Sequence, residues 1–429
     1  MFEEAVSSTA AVASSAEFPE AVSAPGRRWF SWKRLLLGLF VFVVFTGGLA
    51  YSQKERIAPQ VADTMRSLIG DERTAQVESW FFRIEDRVHQ AKYRFFGGET
   101  NPFETETVHL QYIPRAEGAV IHYFPETGIR TEFPDLTGEL FMPIPMQLPE
   151  IRQLSNNPDP GEGVWSTAGL PLTTPADVRM AKTFLHPDPS RPYASVAVLI
   201  VDSRRAKLHM VAGTIDPGGS RNIAGPGVIP DEHLASLLIA WNGGFKGDHG
   251  IYGMQVGDTV FRQLRPNLAT VCTKTDGTFL MGEYGRDFTW DDSMTACRQN
   301  AILLVDQGEV SSRTNEGNDT WGYVRVDSSE FITWRSAIGV TKDGNLLVAA
   351  GNSLSADSLA KALWAAGAEY AMQLDINNPY VLTGLYFHQP DGAIEGERFM
   401  ESMPDTPRRF LRTNERDFMY LTLDETRYR

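Results

Sequence analysis

The stretch "SADSLAKALWAAGAEYAMQLDINNPY", Ser355 to Tyr380, holds two periodicities in succession, and its reading decides the fold. Leu359, Ala362, Leu363 and Ala366 recur at helical spacing behind Ser355, a hydroxyl residue suited to cap a helix, and Gly367 stands where a helix stops. The segment that follows, "YAMQLD", reads as a strand ending at Asp375, and Asn377, Asn378 and Pro379 are turn formers. A helix therefore hands over to a strand, and the strand delivers a carboxylate to its own end.

Working outward, "SVAVLIVD", "KLHMVAGTI", "TKTDGTFLMG" and "VTKDGNLLVAAG" read as strands, the last two with Asp-Gly at a hairpin turn. Strands punctuated by helical signals predict an α+β fold over residues 161–429: a mixed β-sheet domain with packed helices. No internal repeat is evident. Pro, Gly and Asn recur through residues 99–160, with short alternating pieces such as "AVIHYF", which predicts a small β-rich module or linker. Residues 53–98 mix three- and four-residue apolar spacings with charges and predict a helical stalk.

Upstream of the stalk, Leu35 to Tyr51 carries no charge over about 17 residues, near the lower bound for crossing hydrocarbon. Residues 33–52 are read as a transmembrane helix; the competing reading is a signal segment cleaved after Ala50. Arg27, Arg28, Lys33 and Arg34 put the positive excess on the N-terminal side. The expected layout is a disordered cytoplasmic tail at 1–26, a single span touching the membrane through 35–51, and an extracytoplasmic C-terminal domain.

Composition narrows the function. The chain of 429 residues has 42% hydrophobic and 22% charged residues, ordinary for a globular protein, and a net charge of -14 that excludes a phosphate-neutralising nucleic-acid surface. The two cysteines, Cys272 and Cys297, flank a turn-rich segment; they form one disulfide outside the cytoplasm or stay as two buried thiols.

Polar residues concentrate at strand ends in four places: "IAWNGGFKGDHGIYG", "RQNAILLVDQGEV", "GNDTWGY" with "WRSAIGVTKDG", and "MQLDINNPY". Asp248 and His249 follow the Gly-Gly pair closely enough to line one cleft, His249 as a base titrating near neutrality or as a plain surface histidine. Trp321 offers an indole for a sugar ring or fills the core, and Arg298 and Asn300 either point into the site or cap a strand. Asp375 and Asn377 have the one-apart spacing of oxygen ligands, so a divalent cation enters as an option beside the expectation of no cofactor, with the metal unknown.

In this order, "NGGF", then "RSAIGVTKDGNLLV", a helix, and "LD" with small polar residues resemble the phosphodiester glycosidase domain family, over about residues 160 to 395. The family's Asn-Gly-Gly-Phe falls on Asn242, Gly243, Gly244 and Phe245, its Arg-Thr-Ala on Arg335, Ser336 and Ala337, and its Leu-Asp-Gly-Gly-Gly on "LDIN", so Asp375 carries over and the three glycines do not. The resemblance implies Asp375, Arg335 and Asn242 as catalytic residues. Arg335 would hold phosphate oxygens, and Asp375 would act as nucleophile, base or stabiliser of an oxocarbenium-like centre. The N–H groups of Gly243 and Gly244 would form an anion nest, and Phe245, Asp248, His249, Trp321, Asn377 and Asn378 would complete the substrate site. The implied activity is hydrolysis of a glycosyl phosphodiester or related sugar linkage in envelope or exported polysaccharide. The competing expectation is a non-catalytic carbohydrate-binding or assembly protein using the same cleft.

Overall fold

Alternation explains the commonest element. In "SVAVLIVD", Ala197, Leu199 and Val201 enter one hydrophobic core while Val196, Val198 and Ile200 enter another, so both faces of the strand are covered and the run is apolar throughout. The same two-sided burial shapes the neighbouring strands. A computed structural model describes residues 64–97, 101–103, 120–124, 128–134, 140–141, 144–322, 331–378, 380–389, 391–403 and 406–428.

A three-stranded antiparallel meander, β1 (Val120–Phe124), β2 (Gly128–Pro134) and β3 (Leu140–Phe141), precedes the main body. There, β4 (Met180–Leu185), β5 (Val196–Val201), β13 (Leu303–Asp306), β14 (Glu309–Val310), β15 (Thr333–Thr341), β16 (Leu346–Leu354) and β17 (Ala368–Ile376) form a seven-stranded sheet in the order β14-β13-β17-β15-β16-β5-β4. A second sheet, β19-β18-β7-β20-β6, comprises β6 (Ala206–Val211), β7 (Leu237–Asn242), β18 (Thr383–His388), β19 (Ile394–Arg398) and β20 (Phe418–Leu423). A third, β11-β10-β12-β8-β9, comprises β8 (Met254–Val256), β9 (Thr259–Arg262), β10 (Ala269–Lys274), β11 (Phe279–Glu283) and β12 (Met294–Asn300). Every pairing between these named strands is antiparallel.

The expectation of an α+β domain is overturned: the described protein is mostly β, with few helices. Helix α1 (Asp71–Phe96) and helix α4 (Ala356–Ala365) are the longer ones, and α2 (Asp231–Leu234) and α3 (Asn318–Trp321) are single turns. The helix-to-strand handover at 355–376 misled the class reading because it is real but serves one connection. β16 and β17 both pair antiparallel with β15, so they run parallel to each other and need a crossover, which α4 supplies. Ser355 caps α4 through a capping box with Ser358. Leu359, Ala360, Ala362 and Leu363 bury one face of α4 against the seven-stranded sheet. On the sheet's other face, Leu199, Ile338, Val348, Met372 and Leu374 join the apolar residues of the second sheet, among them Leu208, Ile239, Trp241, Phe387 and Leu421.

Helix α1 lies along the same side as α4. Ala75 is buried, Phe82 meets Phe331 edge-on at 5.7 Å, and Asp86 accepts from Tyr193 at 2.8 Å and from Arg191 at 3.2 Å. The expected tail at 1–26 and transmembrane helix at 33–52 lie outside the described residues. Among the described residues no helix is long and apolar enough to cross a membrane.

The cysteines resolve to one of their two readings. Cys272 on β10 and Cys297 on β12 are register partners and are disulfide-bonded. The bond closes a loop with a sequence separation of 25, worth about 3 kcal/mol in the chain-entropy account. Replacing both cysteines by alanine is expected to lower the unfolding free energy in urea by about that amount; an unchanged transition midpoint would contradict it.

Candidate functional site

The polar residues gather where β7, β12, β15, β17 and the approach to β20 end together. Their anchor is a buried ion pair: Arg298 Nε and Nη2 donate to Asp417 Oδ2 and Oδ1 at 2.8 and 3.1 Å, and both residues are buried. The Gly-Gly loop wraps this pair. Gly243 N–H donates to the Asp417 carbonyl at 3.0 Å, Gly244 N–H to Asp417 Oδ2 at 3.1 Å, and Arg298 Nη2 to the Phe245 carbonyl at 2.6 Å. A Cβ on Gly243 would stand 2.0 Å from Asp417 Oδ2, and one on Gly244 would stand 2.8 Å from Arg298 Cζ. The two glycines are required by this close approach, and their N–H groups serve Asp417 instead of forming the expected anion nest.

Asn300, at the end of β12, ties loop to strand. Its Oδ1 accepts from Phe245 N–H at 3.2 Å, and its Nδ2 donates to the carbonyls of Gln373 and Leu374 at 2.9 and 3.2 Å. Those carbonyls lie in a bulge: Ala337 pairs with Gln373 but Arg335 with Ile376, so three residue steps on β17 oppose two on β15. A bulge re-aims side chains, and here it separates Gln373 from Asp375.

Asp375, 6% exposed, follows the bulge. Its N–H donates to the Gly243 carbonyl at 2.9 Å, its Oδ1 accepts from Ile376 N–H at 2.9 Å, and its Oδ2 pairs with Arg416 Nη2 at 2.6 Å. Burial pushes the Asp375 carboxyl up to about 6, against the pull of Arg416 and the Ile376 N–H and with Asp417 adding to the push. Arg416 is itself held by the Tyr380 ring, 4.1 Å from its Cζ. Its Nη1 is buried and bonds no described residue. A guanidinium N–H thus stands unpartnered beside a carboxyl that titrates near neutrality.

The other expected residues fall in different roles. Asn242 donates through Nδ2 to Ser336 Oγ at 2.9 Å and accepts through Oδ1 from Leu382 N–H at 3.1 Å; Ser336 Oγ in turn donates to the Asp375 carbonyl at 2.8 Å. Asn242 therefore positions the Asp375 backbone. Arg335 is fully buried and donates to the carbonyls of Leu354, Trp321 and Phe331 and to Gln373 Oε1, at 2.5 to 3.2 Å. Burial lowers its guanidinium to about 9, and its described bonds go to neutral groups, none of them to Asp375. Trp321 is core, its Nε1 donating to the Arg313 carbonyl at 2.9 Å. Phe245 packs 5.9 Å from Tyr252. Asp248 closes a surface turn with Ser220 and Arg262; burial pushes its carboxyl up, but those bonds together hold it below its ordinary value. His249 is pushed down to about 4 by burial, Arg66 and Lys246, so it is neutral at pH 7 and a weak base. Asn377 takes a left-handed φ of 73° and its Oδ1 accepts from Thr333 at 2.8 Å, while Asn378 sits half-buried in the turn. The oxygens of Asp375 and Asn377 that were expected to share a cation thus have other partners. Remote from them, Asp159, Glu162 and His186 bring possible metal-ligating atoms within 4.8 Å of one another.

Two cavities adjoin the site and share Asn318 and Phe331 in their walls. The smaller, about 50 Å³, is lined by Asp375, Arg416, Tyr380, Lys246 and His249, and roofed by Arg66 with Asp71, Ala75 and Glu78 of α1. The larger, about 400 Å³, is lined by Arg335, Trp321, Arg191, Glu316, Asp357 and Lys361 among others. Sequence reasoning placed Asp375 here and missed Arg416, Asp417 and Tyr380. The available signal was "NERDF", a cation and a carboxylate side by side at the start of a strand, which alternation sends to opposite sides.

Residues 236–375 match the family model described as phosphodiester glycosidase. The resemblance read from the Asn-Gly-Gly-Phe, Arg-Ser-Ala-Ile-Gly and Leu-Asp stretches holds over that segment. Among solved structures, the chain is similar to the catalytic domain of zebrafish N-acetylglucosamine-1-phosphodiester alpha-N-acetylglucosaminidase, auto-inhibited by its pro-peptide, at 15% identity and a TM-score of 0.39, covering 59% of this chain and 87% of that one. It is similar to a hypothetical protein from Synechocystis at 12% identity and a TM-score of 0.31, covering 57% and 62% respectively. No curated protein sequence matches.

The anchor pair makes a direct prediction. Asp417→Ala leaves Arg298 buried without its counter-charge and should cost about 3–5 kcal/mol of unfolding free energy in urea. The Arg298→Met/Asp417→Ala double variant should lose clearly less than the sum of the two single changes, and an additive result would show that the two residues do not act as a pair.

Proposed function

We propose that this protein is a hydrolase of sugar phosphodiester linkages, with Asp375 and Arg416 as its working pair. The observation that carries this reading is a buried carboxyl raised to about 6, ion-paired to an arginine whose second nitrogen, at the same cavity, bonds no described residue. The family match over 236–375 supports the same reaction class and ends at Asp375 itself.

The chemistry follows from the substrate's two halves. A phosphate leaving group is already stable as an anion, so the demand for a general acid is modest. Positive charge develops at the anomeric carbon instead. Ionised Asp375 meets that demand as nucleophile, or as base toward water, and Arg416 Nη1 donates to a phosphate oxygen. Tyr380, over the guanidinium face, and Asn242, through Ser336, hold the pair in position. The larger cavity, polar and continuous in its walls with the smaller, has room for the sugar. Arg335 gives that cavity its buried cation. At about 50 Å³ the Asp375 cavity admits water but no sugar, so entry requires the roof at Arg66 and the first turns of α1 to shift. The disulfide fits an oxidising compartment, which favours an extracytoplasmic setting and exported or envelope polysaccharide as the source of substrate.

The larger cavity also favours a second reading, since it exists independently of Asp375: a carbohydrate-binding protein without turnover. Activity separates the two. With the full chain and a glycosyl phosphodiester, sugar release should rise with pH through a limb near 6 and vanish in a folded Asp375→Asn variant. Arg416→Gln removes the positive charge that lowers the Asp375 carboxyl, so its limb should move to higher pH and its KM should rise. Oligosaccharide binding with no release in wild type or variants would establish the binding reading instead.

A further inference from the structure

Helix α1 carries a second apolar face that no described residue covers. Ala75, Ser79, Phe82 and Asp86 face the domain. On the opposite side Val77, Phe81, Ile84, Val88, Ala91 and Phe95 follow one another at steps of four and three, and all six are exposed, Phe81 at 63% and Phe95 at 78%. Such alternation is the seam of a coiled coil.

We propose that this face docks a second copy of the chain, helix against helix in antiparallel orientation. The flanks choose both the occupant and the direction. Glu78, Glu85 and Lys92 border one side of the seam, and Trp80, Arg87 and Arg94 the other. Antiparallel pairing about a two-fold axis near residue 86 sets Val77 against the partner's Phe95, Phe81 against the partner's Ala91, and Ile84 against the partner's Val88. Each layer then joins a larger side chain to a smaller one. The same axis brings Glu78 to the partner's Lys92 and Trp80 to the partner's Arg94, a charge pair and a cation–π pair each made twice. Glu78 also holds Arg66 within its own chain at 2.8 Å. Glu85 and Arg87 meet their own counterparts at the axis, a local cost within reach of each other's opposite charge. A parallel pair would instead set Arg87 against the partner's Lys92 and stack phenylalanine on phenylalanine and alanine on alanine. A lipid surface calls for a basic polar border, whereas the border here carries both signs.

The test uses the full chain. Light scattering across a concentration series should give twice the chain mass for wild type and the single mass for Phe81→Glu/Val88→Glu. Both residues face solvent, so the double variant should keep the wild-type circular dichroism and melting curve. Mixing a Phe81→Cys chain with an Ala91→Cys chain should yield a cross-linked heterodimer, while Ile84→Cys alone should not cross-link to itself. A wild type that stays monomeric at every concentration, including one that floats with phosphatidylglycerol-containing vesicles instead, overturns the proposal. So does a dimer that survives the glutamates, or efficient self-cross-linking through Ile84→Cys.

Discussion

The buried pair of Arg298 and Asp417 is the interaction on which the rest of the site depends. Two opposite charges out of water hold only when their hydrogen-bonding capacity is filled, and this pair fills it from the loop around it. Asp417 takes the N–H groups of Gly243 and Gly244, and Arg298 takes the carbonyls of Phe245 and Gln299. The loop is pulled so close that no side chain fits at either glycine. From there the Gly243 carbonyl accepts the Asp375 N–H, and the residue before Asp417 is Arg416, which reaches back to the Asp375 carboxylate. One ion pair thereby sets both the backbone and the charge environment of Asp375.

The glycines show how a correct motif can carry an incorrect role. An exposed Gly-Gly pair after a strand suits an anion nest as well as a close packing contact, and sequence alone does not distinguish them. The outcome turned on Asp417, which lies 173 or more residues away and claims both N–H groups. Arg335 shows the same limit. The family motif put it in one site with Asp375, but the bulge between Gln373 and Ile376 was not readable, and the bulge turns the two side chains toward different cavities. Arg416 supplies the charge next to Asp375 that the sequence reading assigned to Arg335.

Local signals served the fold well where contacts are local. The Ser355 cap, the end of α4 before Gly367, the strand to Asp375 and the Asp-Gly hairpins all depend on neighbours within a few residues. The class reading failed because one prominent helix was generalised: strands dominate the described residues, and their apolar runs are buried on both faces, a pattern shared with helical cores. The disulfide was legible only as one of two options, since spacing does not say whether two cysteines become register partners.

Arg416 both stabilises the Asp375 carboxylate and keeps a buried N–H that bonds no described residue, while burial raises the carboxyl to about 6. The most direct test of this account is the titration of that one carboxyl. With 13C-labelled aspartate in the full chain and the Asp375 signal identified by its loss in Asp375→Asn, the account predicts a midpoint at about 6. A midpoint at the ordinary value of 3.8 would contradict it, because it would mean that Asp375 is not held in the desolvated cavity from which its proposed chemistry follows.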